Sequence, residues 1–248
     1  MSANEEFQAE VQRNIEAAGQ DEGLKARSLD WMLEAGGKYR YSYNFTWLGR
    51  PIIQYPQDIV ALQELVWAIQ PELIIETGIA HGGSLILFAS LLELNAACGG
   101  PTEARVLGID IDIRAHNREA IEAHPMSRRI DMIQGSSIAP EVIEQVRRQA
   151  QGKRVLLSLD SNHTHDHVLA ELEAYAPLVT PGSYCVVFDT VVEDTPDELQ
   201  NGRPWGRGNS PKSAVREYLS RHPEFQVDER MDHKLLISVA PEGYLKRV

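Results

Sequence analysis

From Pro71 onward, short runs of continuous apolar residues alternate with amphipathic stretches. The apolar runs predict strands at Leu73–Thr77, Arg105–Asp110, Ile130–Gln134, Val155–Leu159 and Tyr184–Phe188. The stretches between them predict helices at Ser84–Asn95, Ala115–Ala123, Pro140–Gln149 and His165–Tyr175. Strands without polar alternation are buried on both faces, which implies a parallel sheet between two layers of helices. Right-handed crossovers then make the sheet doubly wound. The rhythm breaks after the fifth strand. A polar, Gly/Pro-rich insert runs from Thr190 to Pro211, and a helix is expected at Lys212–Arg221. Two short strand patterns follow, Phe225–Asp228 and Lys234–Val239. The link between them is too short for a crossover helix, so they should pair antiparallel. The expected fold is α/β: five parallel strands closed by a C-terminal antiparallel hairpin.

The chain changes character near residue 65. Residues 1–65 have helical spacing from Glu6 to Ala35, then a run in which Tyr39, Tyr41, Tyr43, Phe45 and Trp47 alternate with other residues. That run fits an edge strand or core-facing arm, and equally an aromatic lid over a cleft. Residues 66–248 form the expected sheet domain.

Composition narrows the function. The 248-residue chain is 43% hydrophobic, ample for a core, and its net charge is −12. An acidic chain lacks the basic footprint that binds nucleic acid or anionic membrane. Only two cysteines occur, Cys98 and Cys185, without a CxxC partner, so no disulfide framework or zinc ribbon is implied. The first residues lack the basic and apolar regions of a signal peptide, and no apolar run is long enough to span a bilayer. A cytoplasmic location is expected.

The densest chemical signal is Ile74-Ile75-Glu76-Thr77-Gly78-Ile79-Ala80-His81-Gly82-Gly83-Ser84. A strand runs into an acid, a glycine turn and a helix start. Gly78 permits a sharp turn, Gly82 and Gly83 permit close approach of a ligand, and Ser84 can cap the free helix amides. Glu76 disfavours a phosphate ligand and suits one with cationic or hydroxyl groups, such as S-adenosylmethionine (SAM). Gly78 to Gly82 is one residue longer than the dinucleotide fingerprint, and position 80 is Ala, which counts against NAD or FAD. The second strand ends Asp110-Ile111-Asp112, where Asp110, or failing it Asp112, is placed for ribose hydroxyls. Ser136 and Ser137 end the third strand, where adenine would lie.

Two further strand ends carry acids. Asp160 closes the fourth strand and Asp189 the fifth, with Glu193 soon after. Paired carboxylates at one crevice suit a hard divalent ion such as Mg²⁺, which can hold and acidify a hydroxyl. His163, nearest the strand end, is a candidate general base. His163 and His167 also admit a zinc reading, although zinc wants three or four such ligands. His165 and His167 read as helix-surface residues.

These motifs, with Trp47-Leu48-Gly49-Arg50-Pro51-Ile52-Ile53-Gln54 upstream and Gly243-Tyr244-Leu245-Lys246-Arg247 at the end, resemble the family of cephalosporin hydroxylases and rhamnosyl O-methyltransferases from about Tyr39 onward. The resemblance implies a class I methyltransferase fold, bound SAM, a Mg²⁺ site and methylation of a sugar hydroxyl in a natural product, nucleotide-sugar or glycan. It also implies a homo-oligomer in which N-terminal segments reach across subunits, so residues 1–65 are expected to serve as lid and oligomerisation segment. One residue departs from the family pattern. Phe188-Asp189-Thr190 stands where the family reads Glu-Asp-Thr, and Glu193 or Asp194 is the candidate replacement for the missing acid. The expected roles are therefore Asp160, Asp189 and Glu193 for the metal, Asp160 and His163 for proton transfer, and Glu76, Thr77, Gly78, Gly82, Ser84, Asp110, Asp112, Ser136 and Ser137 for the cofactor. An iron oxygenase using Asp160, His163 and His167, and a non-catalytic SAM-binding scaffold, are the alternatives.

Overall fold

The computed structural model describes residues 2–199 and 202–248. Two long helices come first, α1 (Ala3–Gln20) and α2 (Glu22–Tyr39). Ser2 and Glu5 form a capping box at the start of α1, and Asp21 caps α2 through the Leu24 amide. Of the alternating aromatic run, only Phe45–Trp47 is a strand (β1); it pairs antiparallel with β2 (Arg50–Ile52). Tyr41 packs edge-on against Trp31 and Phe45 instead. Helix α3 (Pro56–Ile69) leads into the main sheet.

That sheet holds β3 (Leu73–Thr77), β4 (Arg105–Asp110), β5 (Ile130–Gln134), β6 (Val155–Leu159), β7 (Tyr184–Val187), β8 (Phe225–Val227) and β9 (Tyr244–Arg247), in spatial order β5-β4-β3-β6-β7-β9-β8. The pairs from β5 to β7 are parallel, and β9 runs antiparallel to both β7 and β8. The crossover helices are α4 (Gly83–Ala97), α5 (Ala115–Glu122), α6 (Pro140–Ala150) and α7 (His165–Tyr175). Strand order reverses between β3 and β6, so their carboxyl ends open the crevice in which such sheets take ligands.

Alternate strand residues feed two cores. Ile74 joins Ile86, Phe88 and Leu92 of α4 on one face; Ile75 joins Leu157, Leu172 and Tyr175 on the other. Helix α4 has apolar residues all round and is buried from Leu85 to Leu92, as it must be when both sides are covered. The sheet covers one side, and α3 with the β1–β2 hairpin covers the other.

The expected final strand at Lys234–Val239 is not one. Residues Glu229–Leu235 form α9, which buries Met231 and Leu235 and packs on α1 where Gly19 leaves room for the His233 ring. The strand that pairs with β8 is β9, farther along the chain. The local apolar run at 234–239 is taken up by the end of α9 and by a turn, while Tyr244 and Leu245, both fully buried, gain the place beside β7. The antiparallel closure itself is as expected. The insert from Thr190 to Pro211 consists of short 3-10 turns and loop before α8 (Pro211–Leu219); its residues 200 and 201 lie outside the described residues. Among the described residues no helix is long and apolar enough to cross a membrane.

Candidate active site

Gly78 makes the floor of the crevice possible. Its φ is +90°, and a Cβ there would lie 1.9 Å from the Asp160 carbonyl oxygen. The tips of β3 and β6 thus approach more closely than any side chain permits. The other two glycines also answer to packing, and Gly83 lines the cavity as well. A Cβ at Gly82 would strike Ile121, and one at Gly83 would strike the Pro51 carbonyl and Ile52. Both positions therefore also need glycine for protein packing. Ser84 does not cap α4; the N-cap is Gly82, with no side-chain bond. The Ser84 hydroxyl instead hydrogen-bonds Glu76.

Glu76 is buried at the end of β3 with Oε2 unpartnered. Burial raises its pKa from 4.5 to about 8, the Ser84 bond offsets part of the rise, and Asp110 adds to it. Thr77 is fully buried in the sheet, its hydroxyl also without a partner. Asp110, the first choice for ribose, has both oxygens engaged: Oδ2 accepts from the amides of Ile79 (2.8 Å) and Ala80 (3.4 Å), and Oδ1 from that of Asp112 (2.9 Å). It braces the glycine loop. Asp112 is exposed, with Arg114 Nε 3.8 Å away, and is the freer acid of the two.

One cavity of about 210 Å³ opens above these strand ends, lined by Gly78, Ser84, Asp160, His163 and Asp189 among others. Glu76, Thr77, Gly82, Asp110, Asp112, Ser136, Ser137 and Glu193 do not line it. Asp160, His163 and Asp189 each offer one ligand atom, all within 4.8 Å of one another. His163 Nε2 lies 3.1 Å from Asp189 Oδ2. Asp189 holds a left-handed backbone conformation (φ +54°), a strain that bulky or charged residues accept where the surroundings impose it. Burial raises the Asp160 pKa well above the ordinary carboxylate range, and the carboxylates of Asp189, Glu76, Glu171 and Asp58 add to it. Two carboxyls and an imidazole in such a field fit a divalent cation, which would relieve the repulsion.

Glu193 is not part of this group. It accepts from the Gly208 amide (2.9 Å) and the Ser210 hydroxyl (2.5 Å), closing the insert on itself. Asp194 pairs with Lys212 at 2.5 Å. Phe188, where the resemblance led to an expected acid, is buried in the core, and neither Glu193 nor Asp194 takes up the role expected of a replacement. His163 is the third member of the group that Asp160 and Asp189 form.

The other histidines are not idle surface groups. His165 meets Ser213 Oγ (2.8 Å) and Glu217 (3.0 Å). His167 Nε2 sits 3.2 Å from both Ser137 Oγ and Ser161 Oγ and 3.4 Å from the buried Glu171. It is thus turned away from the Asp160 group, and neither the iron triad nor the zinc pairing with His163 is assembled. Ser137 is buried, its carbonyl accepting from Tyr175; Ser136 forms the turn into α6 through its carbonyl.

The cavity wall holds further residues, of which Tyr43 belongs to the run that fits an aromatic lid and Gln54 and Val239 had no expected role. Gln54 is 4% exposed with Oε1 unpartnered, and Tyr43 and Val239 line the same cavity. Trp205 stands edge-on to the His163 ring at 4.9 Å. Gln54 ends a motif that was legible; nothing local marks Val239 or Trp205.

A seven-stranded, mostly parallel, doubly wound sheet with an antiparallel last strand, and with an acid and a glycine loop at the end of its first parallel strand, is the architecture of the class I methyltransferases. The profile of the family described as rhamnosyl O-methyltransferase/CmcI matches residues 39–248, and the chain belongs to that family. A rhamnosyl O-methyltransferase of Mycobacterium leprae (strain TN) is 31% identical over 240 residues, 91% of this chain and 94% of that one. The Mycobacterium tuberculosis (strain ATCC 25618 / H37Rv) protein of the same name is 31% identical over 211 residues, 82% and 78% of the two chains. Among solved structures, apo CmcI matches with a TM-score of 0.55 at 21% identity, covering 83% of this chain and 77% of that one. A CmcI form with Mg and SAM matches equally, at TM-score 0.55, 21% identity and the same 83% and 77%. An O-methyltransferase from Bacillus cereus in complex with SAH matches at TM-score 0.52 and 17% identity, covering 81% of each chain.

Proposed function

We propose that this O-methyltransferase moves the methyl group of SAM to a sugar hydroxyl, with Mg²⁺ held by Asp160 and Asp189 beside His163. The observation that carries the reading is the convergence of these three side chains on the cavity that Gly78 and Ser84 floor. The family and the Mg-SAM form of CmcI support the choice of ligands. When bound, SAM supplies an electrophilic methyl group and Mg²⁺ lowers the pKa of an alcohol. The chain's own share is positioning. Glu76, enclosed at the end of β3 next to Ser84, would set negative charge near the positive end of the cofactor, the exposed Asp112 would accept from its ribose, and the strand tips would bring donor and acceptor together. His163 Nε2 or the Asp160 carboxyl takes the acceptor proton, a step of the kind worth about 10²–10⁴ in rate.

The acceptor is a deoxysugar of a natural product, a nucleotide-sugar or a glycan. Homo-oligomers form part of the same reading; Phe7, Trp31 and Tyr39 leave exposed apolar surface on the N-terminal segment. The test pairs calorimetry with turnover. Wild-type protein is expected to bind SAH and to methylate a rhamnoside panel only with Mg²⁺ present. Asp160→Ala and Asp189→Ala should retain SAH binding and lose transfer. Full turnover in both variants refutes the metal role, and absence of SAH binding by wild type refutes the whole reading.

A further inference from the structure

The loop Ile79–Gly82 is held along both polar edges. Its amides point to Asp110. Its carbonyls are taken by two side chains from distant parts of the sequence. Arg50, on β2, donates from Nε (3.1 Å) and Nη2 to the His81 carbonyl. The same Nη2 donates to Asn117 Oδ1 at 3.2 Å. Asn117, on α5 and 5% exposed, donates its own NH₂ to the Ala80 carbonyl at 2.8 Å. Ala80 itself sits at φ +45°, a conformation that an alanine keeps only when its surroundings hold it. Among the described residues no carboxylate lies within ion-pair distance of Arg50, so its charge serves these carbonyls. Neither Arg50 nor Asn117 lines the cavity.

We propose that Arg50 and Asn117 are positioning residues that lock the Ala80–His81 turn in its ligand-binding shape, making the N-terminal hairpin a working part of the cofactor site. Both act through the loop. A fork of charged donors on one carbonyl gives direction as well as strength. With these carbonyls turned to Arg50 and Asn117, away from the cavity, the uncapped amides at the start of α4 stay free for a ligand. The hairpin is fixed independently of the latch. Trp47 Nε1 donates to Ser90 Oγ at 2.9 Å, and His124 Nε2 lies 3.0 Å from the Leu48 carbonyl.

The proposal rests on the SAM reading, and SAH titration calorimetry on the full chain tests the two separately. Arg50→Ala and Asn117→Ala should each weaken SAH binding about tenfold, as expected for a charged or buried hydrogen bond. Arg50→Lys should recover part of the loss, since one ammonium donor still reaches the His81 carbonyl. The double variant should be within about twofold of the weaker single one, because the pair acts as one unit. Trp47→Phe, which removes the bond to Ser90 but keeps the ring in its packing and Arg50 in its place on β2, should lower the ligand-free melting temperature and leave SAH affinity unchanged. SAH affinity unchanged in Arg50→Ala and Asn117→Ala overturns the latch, as does an equal loss of affinity in Trp47→Phe. Wild-type protein that binds no SAH overturns the cofactor reading and the latch with it.

Discussion

Glu76→Gln separates the stability of the empty protein from its binding chemistry. In the free protein the Glu76 carboxyl is enclosed, and burial lifts its pKa from 4.5 to about 8. At pH 7 it therefore holds a proton that the unfolded chain gives up. Folding takes up that proton, so stability is fullest below about pH 4.5, falls as pH climbs toward 8, and is level above. Over a gap of about 3.5 pH units the loss is at most about 5 kcal/mol. Glutamine has the same shape and no proton to lose. Relative to wild type, the variant should be similar in stability at pH 5 and several kcal/mol more stable at pH 8.5, measured by urea unfolding at each pH. Asp58 and Asp232 are shifted in the same direction, but neither shift involves Glu76, so they cancel in the difference; Asp160, whose pKa the Glu76 charge helps to raise, is eased in the variant and adds to its advantage at high pH. Binding should show the other side of the exchange. A cationic ligand beside Glu76 favours the carboxylate, so close to one proton should leave on SAM binding at pH 7. Calorimetry in buffers of different ionisation enthalpy reads that proton directly, and Glu76→Gln should release none and bind weakly. Parallel pH–stability curves for the two proteins, or binding heats independent of buffer, would refute a protonated Glu76.

Gly78→Ala should cost about 2–4 kcal/mol and abolish transfer, because the strained φ and the 1.9 Å clash with the Asp160 carbonyl force the two strand tips apart; a thermal scan matching wild type contradicts this. Mg²⁺ at about ten times its dissociation constant should stabilise wild type by about 1.4 kcal/mol and leave Asp189→Ala unmoved in the same scan. Glu193→Gln should lower the melting temperature yet keep the Mg²⁺ response; loss of that response would return Glu193 to the metal site. Asp58→Ala strips the acceptor from the Ser238 hydroxyl, the Val239 amide and the Tyr244 hydroxyl. A loss of about 3–5 kcal/mol in chemical unfolding is expected for emptying such a buried hub.

Much of this was legible in the chain. The five apolar runs between Leu73 and Phe188 became the parallel strands, because a strand buried on both faces leaves a mark within five residues. Gly78, Asp160 and Asp189 were legible as well, since the ends of parallel strands are where a doubly wound sheet keeps its ligands. The misreadings share a cause. Lys234–Val239 has strand-like composition, but the place beside β7 went to Tyr244–Arg247. Glu193 is four residues from Asp189, yet the folded insert turns it onto Gly208 and Ser210. Ser84 has cap chemistry, yet a buried carboxyl beside it claims its hydroxyl.

Sequence alone determined the layered sheet, the glycine turn and the supply of acids at its strand ends, because hydrophobic period and glycine torsions are local properties. Only the tertiary structure decided that Glu193 stays out of the group that Asp160, His163 and Asp189 form, and that Arg50 and Asn117 bond a turn thirty or more residues away. Those outcomes depend on loop torsions and long-range contacts, and no window of neighbouring residues contains them.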